Sequence, residues 1–307
     1  MATELSLSSL AERLSEIEQR LESIEGSLLG SSLTEEGPLA QYPQPIAYSL
    51  AEERAADNYA DKFSRMLDVS DTCIKYTAAL ALCLRWPDAG FHETARTLIE
   101  QPPSLGKWHS VIRACKGLAD KQRSKIAPRV EESLIASLYK PNGKLTHAGK
   151  FLEELVSLRN DEKGHAFTQS NAAYERMYRR YAVTLHETLI SLKHLNLPLT
   201  RIEKMDLADS ANFKYTIRVL VGESQIGSLK TLVSPLKVRL DQTCVWDGGE
   251  ILISLQGLVV YTACDAGCNL QHTFIFKRRT KNGNVEYQSP AGNHRITLPA
   301  PEWVDQI

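Results

Sequence analysis

At Pro198 the hydrophobic pattern of this 307-residue chain changes period, and that change does most to limit the folds open to it. Before Pro198, apolar residues recur every three or four positions, as in helices that bury one face. After it, alternation and β-branched residues take over, as in half-buried strands. The expected fold class is therefore α+β in segregated blocks: an all-α helical bundle, then a small antiparallel β barrel or sandwich. A chain of 307 residues can hold two modest domains, each with a core. The net charge of -1 argues against a surface coated in basic residues for bulk nucleic-acid binding, but leaves room for a local basic site.

The first thirty residues carry a separate signal. Leu7, Leu10, Leu14, Ile17, Leu21, Ile24 and Leu28 alternate spacings of three and four, which is an a/d heptad. Arg13 and Arg20 fall at g, and Glu18 and Glu25 at the following e positions, so a parallel in-register interface attracts. Residues 1–30 are expected to be a coiled-coil oligomerisation helix; the alternative is one amphipathic helix folded onto its own domain. Leucine at a with isoleucine at d favours three or four strands over two. Residues 31–45, with three prolines, read as a linker.

Residues 46–197 read as the all-α domain. The spacing predicts helices over Leu50 to Leu67, Asp71 to Trp86 with Asp71 as N-cap, His92 to Glu100, Leu105 to Lys121 and Ile126 to Tyr139. A turn at Pro141-Asn142-Gly143 follows. Thr146 then caps a helix from His147 to Arg159, and a long helix spans Asn171 to Leu195. Residues 198–307 read as the β domain. Its predicted strands are Lys214 to Val221, Val238 to Leu240, Glu250 to Leu255, Leu258 to Ala263, Thr273 to Lys277 and Val285 to Gln288. Asn282-Gly283 marks a hairpin between the last two.

The segment from Leu155 to His165 carries the strongest chemical signal. Arg159 and His165 stand six positions apart, just under two helical turns, so both can reach one surface spot. An imidazole can move a proton at a ribose 2'-hydroxyl or at the leaving oxygen, while a guanidinium holds a pentacovalent phosphate. Arg159, Asn160 and His165 together resemble the signature of the HEPN superfamily: an arginine, a polar residue, then a histidine a few positions on. The resemblance covers the central half of the chain. It implies an all-α bundle, metal-independent endoribonuclease activity without a cofactor, and homodimers whose two Arg/His sets face one cleft. Such domains recur in bacterial toxins and antiphage defence proteins. The resemblance also implies roles: His165 as acid/base, Arg159 as transition-state clamp, Asn160 as an orienting or RNA-contacting group. One subgroup has a tyrosine two residues after the histidine, and this chain has Phe167 there, so that regulatory mode does not transfer. The bland alternative is structural: Arg159 at a helix carboxyl end, Asn160 and Gly164 as a helix stop, and His165 bonded to a carbonyl.

Other candidates lie outside the motif. Tyr174, Arg176, Tyr178, Arg179, Arg180 and Tyr181 interleave cations with aromatics, so Arg176, Arg179 and Arg180, with Lys163, are RNA-binding candidates. The same pattern suits arginine stems covering an apolar helix face. Lys277-Arg278-Arg279 with Lys281 reads as a solvated hairpin tip. Cys264, Cys268 and His272 offer sulfur and imidazole to a metal, with Cys244 as a possible fourth ligand. Three residues separate the cysteines where zinc knuckles usually have two, so an ordinary β-turn competes with that reading. The β segment is also similar in texture to the second half of bacterial conflict and signalling proteins, through Ile251 to Leu255, the cysteine hairpin and Tyr287.

There is no signal peptide at the start and no apolar run approaching a membrane span, so a cytoplasmic protein without a membrane partner is expected. Walker loops, paired zinc-protease histidines and nucleophile elbows are absent. Two functions remain. One is an endoribonuclease acting as a toxic effector on RNA, a homo-oligomer with dimer-paired sites and a tetramer favoured, with a regulatory protein as possible partner. The other is a non-enzymatic oligomeric adaptor or sensor whose β domain binds a partner.

Overall fold

The computed structural model describes residues 39–305, apart from 89–90, 100–102, 165–169, 225, 265–267, 269 and 293. The expected coiled coil lies outside the described residues. Among those described, seven α-helices precede nine strands in two antiparallel sheets, a mixed α+β fold. No described helix is long and apolar enough to cross a membrane.

The helices are α1 (Gln44–Ala55), α2 (Tyr59–Arg85), α3 (His92–Ile99), α4 (Leu105–Ala119), α5 (Pro128–Leu138), α6 (His147–Gly164) and α7 (Asn171–Ser191). Three depart from expectation. Two of the three prolines read as a linker instead start α1: Pro43 precedes it and Pro45 occupies its first turn, where a missing N–H costs nothing. Leu39, Tyr42 and Gln44 are buried, so the chain is folded from Leu39 onward rather than from Ile46. Next, α2 is continuous through Asp71. The break falls earlier, where Asn58 caps α2 by accepting from the Asp61 N–H at 2.9 Å. Val69, Ser70 and Thr72 do not interrupt the helix, because the Ser70 and Thr72 hydroxyls donate to the carbonyls of Met66 and Asp68 four residues back. Finally, α6 does not stop at Arg159 but runs to Gly164: the weak helix preference of Asn160 and Asp161 does not end it, and no proline intervenes.

The first sheet has the order β3-β2-β1-β4-β5, formed by β1 (Leu199–Leu207), β2 (Phe213–Leu220), β3 (Ser228–Ser234), β4 (Thr243–Trp246) and β5 (Ile251–Ser254). The second has β6 (Val259–Ala263), β7 (Gln271–Arg279), β8 (Val285–Gln288) and β9 (Arg295–Leu298) in sequence order. The β7–β8 turn uses Gly283 at φ +82°, as Asn282-Gly283 predicts. Val238 to Leu240 is not a strand. The Val238 N–H donates to the Tyr215 hydroxyl at 3.0 Å, so a side chain takes the place of a ladder partner.

Helices and sheets share one hydrophobic core, which runs from α2 and α4 into β6, β7 and β8. Trp108 on α4 packs edge-on to Phe276 on β7, with ring centroids 6.0 Å apart. Thr273 on β7 donates to the Gln44 side chain of α1, and Gln44 donates to the Ser224 carbonyl at 2.8 Å. This seam fixes the helices against the second sheet.

Buried in the same core, His194 follows α7 and lies 2.9 Å from the Thr77 hydroxyl of α2 through Nε2. Burial pushes its pKa down to about 3. The unfolded chain takes up a proton near pH 6.5 that the folded chain excludes until about pH 3, so stability falls as pH drops through that window. Between pH 7 and pH 5 the loss is about 2 kcal/mol. Burial lowers the pKa of His109 too, which adds in the same direction. Urea unfolding at both pH values should show a shallower acid loss in His194→Asn than in the parent. Equal losses would assign the slope to other groups.

Candidate functional site

Along α2, Arg65, Asp68, Asp71, Thr72 and Lys75 recur at helical spacing and form one polar stripe. Arg159 of α6 reaches this stripe, with Nε 3.3 Å from Asp71 Oδ1 and Nη1 3.6 Å from Asp68 Oδ1. Asp71 also binds Lys75 at 2.5 Å, and Arg65 lies 3.6 Å from Glu52 and 3.8 Å from Asp68. Three carboxylates thus alternate with three cations. Burial, with Asp71 close by, raises the Asp68 pKa against the opposing pull of Arg159 and Arg65. Asp71 is therefore an ion-pair partner in mid-helix, not a cap.

This stripe is one wall of a cleft of about 490 Å³ that also holds Asn160 and is closed on the far side by β7 and β9. The far wall contributes Lys277, Arg278 and Arg295. A β-bulge places one extra residue between Phe276 and Arg278, which breaks the alternation of the strand. In consequence Lys277 and Arg278, which regular pleating would send to opposite faces, both reach Glu286, at 2.9 and 2.7 Å. Arg295 lies 3.9 Å from the same carboxylate. Burial would raise the Glu286 pKa, but hydrogen bonds from Lys277 and Arg278 outweigh it and hold the carboxyl below its usual range. Three cations around one carboxylate leave this wall with a surplus of positive charge. The helical wall has no such surplus. Lys277 and Arg278 are accordingly not a solvated hairpin tip but strand residues facing the cleft.

The sequence candidates divide. Arg159 and Asn160 line the cleft. His165 and Phe167 lie outside the described residues, and so does the Lys163 side chain. Arg176, Arg179 and Arg180 are exposed on α7 and do not line the cleft. Arg179 binds Glu175 at 2.9 Å and lies over the Tyr59 ring, while the Arg180 guanidinium lies over Tyr181. Tyr174 and Tyr178 pack toward Phe63 and Tyr59 of α2. These tyrosines join helices together rather than offering stacking platforms.

Among the metal candidates, Cys264 directly follows β6, Cys268 lies in the connecting loop, and His272 is the second residue of β7. Cys244 is excluded as their companion: it is fully buried in a separate cluster under the first sheet. His294, which spacing does not flag, stands beside the pair, with Nδ1 2.9 Å from Cys264 Sγ and 3.5 Å from Cys268 Sγ. No family model, curated protein or solved structure matches this chain, so the chemistry of the cleft itself has to carry the functional reading.

Proposed function

We propose that the cleft binds RNA and that the chain is a metal-independent endoribonuclease of HEPN type, acting as a toxic effector in a bacterial defence or toxin system. The supporting observation is the far wall: Lys277, Arg278 and Arg295, which among the described residues share the one carboxylate of Glu286, line the cleft with Arg159 and Asn160. Such a surface attracts a phosphodiester by charge. In this reading His165, just beyond α6, takes the 2'-hydroxyl proton. The 2'-oxygen then bonds to the adjacent phosphorus, and the bond from phosphorus to the 5'-oxygen breaks. Protonation of the leaving oxygen yields a cyclic phosphate end and a 5'-hydroxyl end. Arg159 stabilises the charge on the phosphorane. The heptads of residues 1–30 would gather protomers and raise the local concentration of a second site.

One observation favours the adaptor reading instead. Arg159 is paired with Asp68 and Asp71 of its own chain, as a purely structural arginine would be. End-labelled RNA incubated in buffer freed of Mg²⁺ on a chelating resin separates the two. Cleavage by the parent, leaving cyclic phosphate ends and lost in His165→Ala, is the expected result. Equal cleavage by parent and variant would reject His165 as the acid/base. No cleavage by either, with or without expression-linked growth arrest, would transfer the assignment to the adaptor.

A further inference from the structure

We propose that Cys264, Cys268, His272 and His294 form a Cys₂His₂ zinc site that pins together one end of the second sheet. The inference is independent of the ribonuclease reading. Ligand atoms of Cys264, Cys268 and His294 all lie within 4.8 Å of one another. The His272 Nε2 is 3.3 Å from Cys268 Sγ, which brings a second imidazole to the same thiols. In a tetrahedral zinc centre with sulfur at about 2.3 Å and nitrogen at about 2.0 Å, neighbouring sulfur and nitrogen ligands stand roughly 3.5 Å apart. The observed separations of 2.9, 3.3 and 3.5 Å run from slightly below that value up to it, so small outward side-chain rotations suffice to seat an ion.

The surrounding backbone is built to bring these groups together. Cys264 closes the β6–β7 hairpin, its N–H donating to the Leu270 carbonyl at 3.0 Å. His272 is the second residue of β7 and pairs with Thr262. The Ser289 N–H donates to the His294 carbonyl at 2.8 Å and closes the β8–β9 turn. Gly292 in that turn has φ +63°, and a Cβ there would come 2.9 Å from His294 Nε2. Glycine thus leaves room for the ring to fold back with Nδ1 toward the cysteines. Buried on its other side, His272 Nδ1 has no hydrogen-bond partner among the described residues, and the ring meets Tyr48 of α1 at 6.4 Å between centroids.

Two thiolates and two imidazoles suit zinc over hard cations, and four protein ligands make the site structural rather than catalytic. Its role follows from its connections. A zinc ion here would tie three chain segments, Cys264 to His294 being thirty residues apart, at the end of the sheet that faces α1. Binding energy of this kind appears directly as folding energy.

Elemental analysis of the purified full-length protein should give about one zinc per chain. Cobalt exchanged into the site should show the intense visible bands of tetrahedral Co²⁺ and a thiolate-to-cobalt charge-transfer band. Cys264→Ser with Cys268→Ser, and His294→Ala separately, should lose zinc at least fivefold. His272→Ala should weaken zinc at least tenfold in competition with a chromophoric chelator. A parent protein with less than about a tenth of a zinc per chain after growth in zinc-replete medium would overturn the proposal. So would full zinc retention in the double cysteine variant, or a Cys264–Cys268 disulfide in the native protein. Unchanged affinity in His272→Ala would remove that residue from the ligand set. Metal content of the parent decides the matter even if a variant fails to fold.

Discussion

Glu131→Ala is expected to destabilise the protein by about 3 kcal/mol, the low end of what removing one partner of a buried ion pair costs. The Arg85 side chain is 2% exposed and that of Glu131 4%. Arg85 closes α2, and Glu131 sits in the first turn of α5, so the pair locks two helices whose ends would otherwise meet through apolar contacts alone. Glu131 also accepts the Ser124 N–H at 2.8 Å, and Arg85 donates to the Gln122 carbonyl at 2.7 Å. Truncating Glu131 leaves a guanidinium out of water and orphans the Ser124 amide. Asp88 remains 3.1 Å from Arg85 and is 41% exposed, which compensates part of the charge and keeps the loss near 3 kcal/mol rather than 5. Urea unfolding measures it. A double replacement, Arg85→Met with Glu131→Leu, should recover most of the loss, because no charge then stays buried. A single variant that unfolds like the parent would show that water reaches Arg85 in solution.

That pair illustrates what the sequence could and could not reveal. The helices on either side were legible from apolar periodicity, and so was the switch to strands at Pro198. Which charged residues go inside was not, since Arg85 and Glu131 look like any other surface residues in their helices until the helices pack. Four strands escaped for a related reason. β3 is exposed at five of seven positions, so it lacks an apolar side to announce it. β1 carries a bulge between Ile202 and Lys204 that breaks its alternation, and β4 and β9 are four residues long. The cleft was half legible. Arg159 and Asn160 stood out through their local motif, whereas Lys277 and Arg278 were misread because a bulge, invisible in the sequence, redirects them. His294 lies too far along the chain from Cys268 for any spacing rule to join them. The spacing of Arg65, Asp68, Asp71 and Lys75 was a usable signal, hidden by reading Asp71 as the start of a helix.

If the cleft cleaves RNA as proposed, Arg159→Ala is expected to lower that cleavage 100- to 1,000-fold, roughly the usual consequence of removing one donor to a transition-state oxyanion. RNA affinity should change far less, since Lys277, Arg278 and Arg295 keep their charges on the far wall. Arg159→Lys should rescue little: an ammonium cannot present the planar fork of a guanidinium. The ion pairs make the decisive companion test. Asp71 lies 3.3 Å from Arg159 Nε and Asp68 3.6 Å from its Nη1, so two carboxylates hold the guanidinium at the cleft wall. If Asp71 positions Arg159 for catalysis, Asp71→Asn should lower kcat by about tenfold through misplacement. The same change removes a negative charge from the cleft, so KM for RNA should fall rather than rise. An arginine that only braces α6 against α2 predicts another outcome: Arg159→Ala and Asp71→Asn would lower the unfolding free energy together, by about 1 kcal/mol, with no split between kcat and KM. A lower kcat together with a lower KM is what a structural role cannot produce.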